Sequence, residues 1–264
     1  MQIRVPREIT ETAASVGAAK ATLTVNSLPR LMLSSCLAGA FIALGGILSL
    51  MVGFGFPGLN AANPSLQKLL SGCMFPIGLI LVVTLGAELF TGNNALLIPS
   101  YMKGSHNFAT VLRNWVLVYV GNFIGAIAFT YIMVYACGLT AGEPYHSAII
   151  AVAKAKVSMS WLTVFIKGIG ANWCVCLAVW LALSGKTFFE KALGCWLPVM
   201  AFVVLGYEHS IANMFFIPLG MMEGAEISAA EAIWVNLIPA TLGNIVGGAL
   251  LVGAVNAYLH EIRK

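Results

Sequence analysis

Six apolar runs of this chain are long enough to cross a bilayer: about 31–53, 69–102, 111–136, 162–184, 192–221 and 233–258. A single span takes about 20 residues, so the second and fifth runs are too long for one straight helix. Both are interrupted by the same signature. Gly86-Ala-Glu88-Leu-Phe-Thr-Gly-Asn93 and Gly206-Tyr-Glu208-His209-Ser-Ile-Ala-Asn213 share the spacing Gly-x-Glu-x4-Asn, and each follows an apolar run containing a proline, Pro76 or Pro198. A carboxylate inside hydrocarbon is costly and is rarely kept without a use. Each long run therefore reads as two half-helices joined by an irregular connector. Such backbone survives at membrane depth only where protein buries it or where it lines a wet cavity, so the breaks predict a pathway.

The third and sixth runs repeat as well. Asn114-x6-Gly121-Asn122-x2-Gly125 matches Asn236-x6-Gly243-Asn244-x2-Gly247. Each copy holds a Gly-xxx-Gly face (121/125 and 243/247) suited to close helix packing, and its main value here is as a register mark. Three spans separate the copies, which makes the two halves run in opposite directions through the bilayer. The expected fold class is an all-α integral membrane protein, with six transmembrane helices as an inverted 3+3 repeat and broken second and fifth helices. One domain covers 1–264, with a first repeat at 31–136, a second at 162–258 and an N-terminal amphipathic segment at 1–30. In that segment Pro6 to Leu23 carries Glu8 and Glu11 early and Lys20 late, the charge order a helix dipole favours. It is expected to lie on the membrane face.

Composition removes the soluble classes. Of 264 residues 59% are hydrophobic and 9% charged, with mean hydropathy +0.90, whereas a soluble domain carries about a quarter charged residues. The net charge of +4 points to no nucleic acid and is better read through topology. With the N-terminus inside, Arg4, Arg7, Lys20, Arg30, Lys103, Arg113, Lys186, Lys191, Arg263 and Lys264 fall on the cytoplasmic side. Lys68, Lys154 and Lys156 fall outside, with Glu143, Glu223, Glu226 and Glu231. That asymmetry places both termini in the cytoplasm and the chain in the cell membrane. The first 25 residues lack an apolar core, so no cleavable signal peptide is expected. The six cysteines mostly lie inside apolar runs, and Cys174 and Cys176, two apart on a helix, point to opposite sides. Free thiols acting as small hydrophobes are expected.

Few residues remain for chemistry. His209 is the one histidine within a run; His106, His146 and His260 fall in loops or near an end. It sits on a break beside Glu208, and an imidazole titrates near neutrality, which suits proton exchange with a passing weak acid. Glu88 and Glu208 read as proton carriers or as acceptors for backbone N–H groups freed at the breaks, and their symmetric placement favours the structural role. Thr91 with Asn93, and Ser210 with Asn213, could cap the second half-helices or offer hydrogen bonds to a dehydrated solute. Asn172, mid-way along the fourth run, needs buried partners. Lys167 snorkels from the outer part of that run. Lys154 and Lys156 read as a solvated surface or as a positive vestibule that concentrates small anions. No phosphate loop, metal cluster or Ser/His/Asp set is present, so no enzyme, cofactor or metal is expected.

Glu-Leu-Phe-Thr-Gly-Asn (88–93) and Gly-Tyr-Glu-His-Ser-Ile-Ala-Asn-Met-Phe (206–215) strongly resemble the two broken-helix signatures of the formate/nitrite transporter family. Asn172 before Cys-Leu-Ala-Val-Trp (176–180), the stretch 236–248 and the N-terminal Pro-Arg-Glu-Ile agree, so the resemblance spans the chain. It implies a homopentamer of aquaporin-like protomers in the lipid bilayer, each with its own pore for small monovalent weak-acid anions. His209 would be the central pore histidine, assisted by Asn172 and Thr91. Phe75 and Phe202 would form one apolar constriction, with Leu79 and Leu89 at the other. Lys156 matches the family's vestibule lysine, and Lys154 lies close to it. The expected function is a channel or transporter for such anions, formate first, with proton coupling through the pore histidine. A nitrite or hydrosulfide channel is the alternative within the family, and a neutral-solute channel for water or polyols the rival from another class.

Overall fold

The computed structural model describes residues 5–262; Arg4, Arg263 and Lys264, placed above on the cytoplasmic side, lie outside the described residues. Among the described residues the chain is helical and has no strand. We number the helices α1 (Pro6–Asn26), α2 (Leu28–Phe54), α3 (Pro57–Ala62), α4 (Pro64–Met74), α5 (Ile77–Leu85), α6 (Phe90–Met102), α7 (Phe108–Tyr135), α8 (Tyr145–Val157), α9 (Trp161–Ser184), α10 (Phe188–Val204), α11 (Ser210–Met222) and α12 (Ala229–Leu259). The last part of α7 and two stretches of α12 are π-helical.

Five stretches are long and apolar enough to cross a membrane: α2, α4 with α5, α7, α9 and α12. Both long apolar runs divide as their sequence predicts. The second becomes α4, α5 and α6, and the fifth becomes α10 and α11. The two prolines do different work. Pro76 stands between α4 and α5, whereas Pro198 lies inside α10. Pro lacks an N–H and cannot donate to the helical ladder, and in the first copy the α-helix is interrupted at that point.

The Gly-xxx-Gly faces pack as their spacing suggests. A Cβ on Gly125 would run into the carbonyl of Cys36 on α2, and one on Gly247 into the carbonyl of Ile169 on α9. The side-chain-free faces therefore let α7 lie directly on α2 and α12 on α9. Helix α1 docks rather than floats. Its Ala13, Ala14 and Gly17 are buried, and Gly17 faces the backbone of α6 at Leu96. A core of Phe75, Leu79, Leu89, Phe90, Phe202 and Ile211 sits where the two breaks meet.

Candidate functional site

Each break begins on a glycine in the left-handed region, Gly86 at φ 69° and Gly206 at φ 67°. The chain then runs extended to Leu89 (φ −107°, ψ 124°) and His209 (φ −104°, ψ 114°), after which α6 and α11 start. Two asparagines close the exposed backbone. Phe90 N–H donates to Asn122 Oδ1 at 2.9 Å, and Ser210 N–H donates to Asn244 Oδ1 at 2.8 Å. Asn122 Nδ2 in turn donates to the carbonyls of Ser35 and Glu88, both at 2.8 Å. Asn244 Nδ2 does the same for Gly168 at 2.8 Å and Glu208 at 3.0 Å. Each buried amide thus matches one backbone donor and two backbone acceptors at its break. The repeated asparagines, read above only as register marks, are thus the residues that hold the breaks.

The two glutamates have another task. The expected backbone N–H donors are not what they meet: among the described residues each carboxylate accepts from a lysine and an asparagine side chain, and Glu208 Oε2 also from Asn236 Nδ2 at 3.1 Å. Glu88 Oε1 accepts from Lys20 Nζ at 2.9 Å and Oε2 from Asn93 Nδ2 at 2.7 Å. Glu208 accepts from Lys156 Nζ at 3.1 and 3.2 Å on its two oxygens, and Oε2 accepts from Asn213 Nδ2 at 2.7 Å. Asn93 and Asn213 also donate to Asn114 and Asn236. The lysine side chains are 13% and 15% exposed and the carboxylates 4% and 5%, so these are buried ion pairs. Lys20 and Lys156 sit on α1 and α8, the helices that lead into each half, and occupy equivalent places. Sequence reading assigned Lys20 to the dipole of its helix and to the cytoplasmic side; the pairing across 68 residues has no local signal.

At the second break the N-cap position carries His209. Its Nδ1 accepts from Ala212 N–H at 3.1 Å, which caps α11 and places the ring proton on Nε2. Nε2 then faces Thr91 Oγ1 at 2.9 Å. Neither Thr91, Asn93, Ser210 nor Asn213 caps a half-helix. Asn172 underlies the pair from α9. Its Nδ2 lies within hydrogen-bond distance of the carbonyls of Thr91 (3.2 Å) and Asn244 (2.6 Å) and of Asn94 Oδ1 (3.2 Å), three acceptors for two N–H groups. Cys176, one turn on, donates from Sγ to the Thr91 carbonyl at 3.3 Å. All six cysteines are free thiols.

Two cavities approach this point. One of about 370 Å³ is lined by Phe75, Phe202, His209, Glu208, Lys156 and Asn213 among others, and Lys68 and Lys167 also line it. The second, about 260 Å³, is lined by Leu79, Leu89, Asn93, Lys20 and Lys191 among others. Phe75 and Phe202 meet edge to face with ring centroids 5.7 Å apart, and Phe202 stacks on His209 at 5.8 Å. All four apolar side chains are buried, at 2–3% exposure. The aromatic pair borders the first cavity and the leucine pair the second. Thr91 and Asn172 line neither. Lys156 Nζ also lies 5.5 Å from the centroid of the Phe216 ring, while Lys154 is exposed on the same helix.

A family model described as formate/nitrite transporter matches residues 7–258. A probable formate transporter of Methanothermobacter thermautotrophicus is 39% identical over 248 residues, covering 88% of this chain and 89% of the relative. Among solved structures, an ion channel of the FNT family superposes with a TM-score of 0.86 at 31% identity, over 96% of this chain and 98% of the other. A pentameric formate channel with formate bound superposes with a TM-score of 0.77, also at 31% identity, over 89% and 98%.

Proposed function

This chain belongs to the formate/nitrite transporter family, a family of membrane transport proteins and not of enzymes, and from that premise we propose that it conducts small monovalent weak-acid anions, formate first among them. The observation that carries the reading is the one polar point, the His209–Thr91 pair at 2.9 Å, set between two apolar pairs and two cavities. An ion stripped of water pays heavily to enter an apolar constriction, whereas a neutral acid does not. Phe75 with Phe202 and Leu79 with Leu89 therefore serve as the barriers to hydrated ions, and the solute crosses as the acid.

His209 supplies the coupling. Its Nδ1 is engaged by Ala212 N–H, so the proton at hand is the one on Nε2, shared with the Thr91 hydroxyl. A carboxylate arriving there is held by hydrogen bonds from this pair and takes its proton from water of the cavity, which is left as hydroxide, so that Nε2 keeps its own proton. Asn172 positions Thr91 through its carbonyl. The Lys156–Glu208 pair, with Asn213 beside it, keeps a polar wall next to the histidine, and its lysine adds positive potential to the cavity. Six crossings are counted by taking α10 followed by α11 as the fifth, giving an inverted repeat with an aquaporin-like protomer. The positive-inside distribution supports cytoplasmic termini and the cell membrane. It turns the cavity with Lys156 outward and the one with Lys20 inward. The pentameric formate channel it superposes on supports a homopentamer of one pore per protomer.

Swelling of proteoliposomes in formate, nitrite, hydrosulfide, acetate and glycerol at pH 5 and pH 7.5 tests the reading. Rapid, pH-sensitive entry of the small acids with little entry of glycerol is expected, and the ranking names the preferred anion. Glycerol entry without acid preference would overturn the anion channel in favour of a neutral-solute pore. His209→Phe is expected to abolish the pH-dependent formate flux; unaltered flux at both pH values would remove the histidine from the mechanism.

A further inference from the structure

The cavity on the side of Lys156 holds more positive charge than its ion pair explains. Its titratable lining comprises Lys68 from α4, Lys156 from α8, Lys167 from α9, and Tyr207, Glu208 and His209 from the break. Lys156 is committed, with both oxygens of Glu208 within 3.2 Å of its Nζ. An incoming anion would have to compete with a bidentate carboxylate that is itself buried. Lys68 is exposed at the rim. Lys167 differs from both. It is half-buried in the wall, and among the described residues its Nζ touches one polarisable group, Met159 Sδ at 3.4 Å. A thioether is a weak acceptor, and an ammonium has three N–H donors. Most of the donor capacity of Lys167 is therefore unspent inside the cavity that leads to His209.

Its backbone adds a second reason to place it in the pathway. The Lys167 carbonyl accepts the N–H of Glu208 at 3.3 Å, so the break and the base of this side chain are tied together. Five residues further along α9 stands Asn172, the amide beneath Thr91. The side chain thus rises from the segment that fixes the site, with its charge uncancelled.

We infer that Lys167 is the residue that collects the anion in this cavity and sets the apparent affinity from that side, with Lys156 held back as the structural partner of Glu208. The inference rests on the channel reading above. Charge focused by low-dielectric walls raises the local concentration of an opposite ion by about tenfold or more at low salt, and the gain shrinks as the screening length falls below about 10 Å. The ligand it fits is a small carboxylate or another compact monovalent anion, bound through charge and up to two N–H donors.

The test compares wild type, Lys167→Gln and Lys167→Arg in right-side-out and inside-out membrane vesicles, with labelled formate at low and high ionic strength. For Lys167→Gln the half-saturating formate concentration is expected to rise about tenfold at low salt from one side of the membrane only. The rise should fade at high salt, and the arginine variant should restore the wild-type value. A purely structural role would instead lower the maximal rate from both sides alike, and arginine would not spare it. Equal half-saturation and equal salt dependence in wild type and Lys167→Gln overturn the inference while leaving the channel intact. A wild type that passes no formate, nitrite or hydrosulfide overturns the channel reading, and the collecting role with it.

Discussion

The two breaks are nearly the same object in backbone and different objects in chemistry. Both open on a left-handed glycine at φ 67–69°, both set a buried glutamate against a lysine and an asparagine, and both are closed by an asparagine from the third or sixth run. At the N-cap, however, the first carries Leu89 and no side-chain cap, and the second carries His209, whose ring caps α11. Two positions on, Thr91 stands in the first copy and Ile211 in the second. The residues that recur hold the backbone open. Of those that do not recur, His209 and Thr91 face one another at 2.9 Å.

If that division is right, damage to recurring residues costs stability equally in both halves. The largest effect is expected from Lys20→Met and Lys156→Met, each of which strands a buried carboxylate at a cost of about 3–5 kcal/mol. Thermal unfolding of the purified protein in detergent measures it, and a marked inequality between the two would break the equivalence of the halves. Asn122→Ala and Asn244→Ala come next. Each removes the partner of one N–H and two carbonyls, and because water can enter the space the side chain vacates the loss is about 1–3 kcal/mol in all. Gly86→Ala and Gly206→Ala should each cost about 1–2 kcal/mol. No atom lies within 4 Å of the added Cβ, so the loss is one of backbone strain, and the same unfolding midpoint should report equal shifts.

The smallest stability effect sharpens the contrast most. His209→Leu turns the second N-cap into a copy of the first and removes one cap, at about 1 kcal/mol. The protein should still assemble with nearly its normal melting point, yet lose pH-dependent formate entry in liposomes. A fall in stability as large as that of Lys156→Met would mean that the histidine belongs to the scaffold after all.

Much of this was legible along the chain. Broken runs, paired glutamates and the lone histidine follow from period, length and rarity, because hydrocarbon penalises each polar group it must contain. The helix over 6–26 was legible too, three residues longer than Pro6 to Leu23. What it does was not, since the contact from Lys20 to Glu88 spans 68 residues and leaves no periodic trace. Patterning alone did not separate Lys154 from Lys156, and only the family resemblance pointed to Lys156. Only the direction of each side chain on α8 separates the exposed one from the partner of Glu208.

The roles of Asn122, Asn172 and Lys167 show the same boundary from the other side. An amide in an apolar run announces that it needs partners but not which ones: the acceptors that Asn172 meets come from two other helices, α6 and α12. The sequence by itself determined how many segments are apolar, where two of them must break, and that the breaks are repeated. Tertiary structure decided which polar groups cancel one another and which remain free to meet a solute. That choice depends on distances of a few ångströms between residues far apart in the chain, and hydrophobic patterning carries no information at that scale.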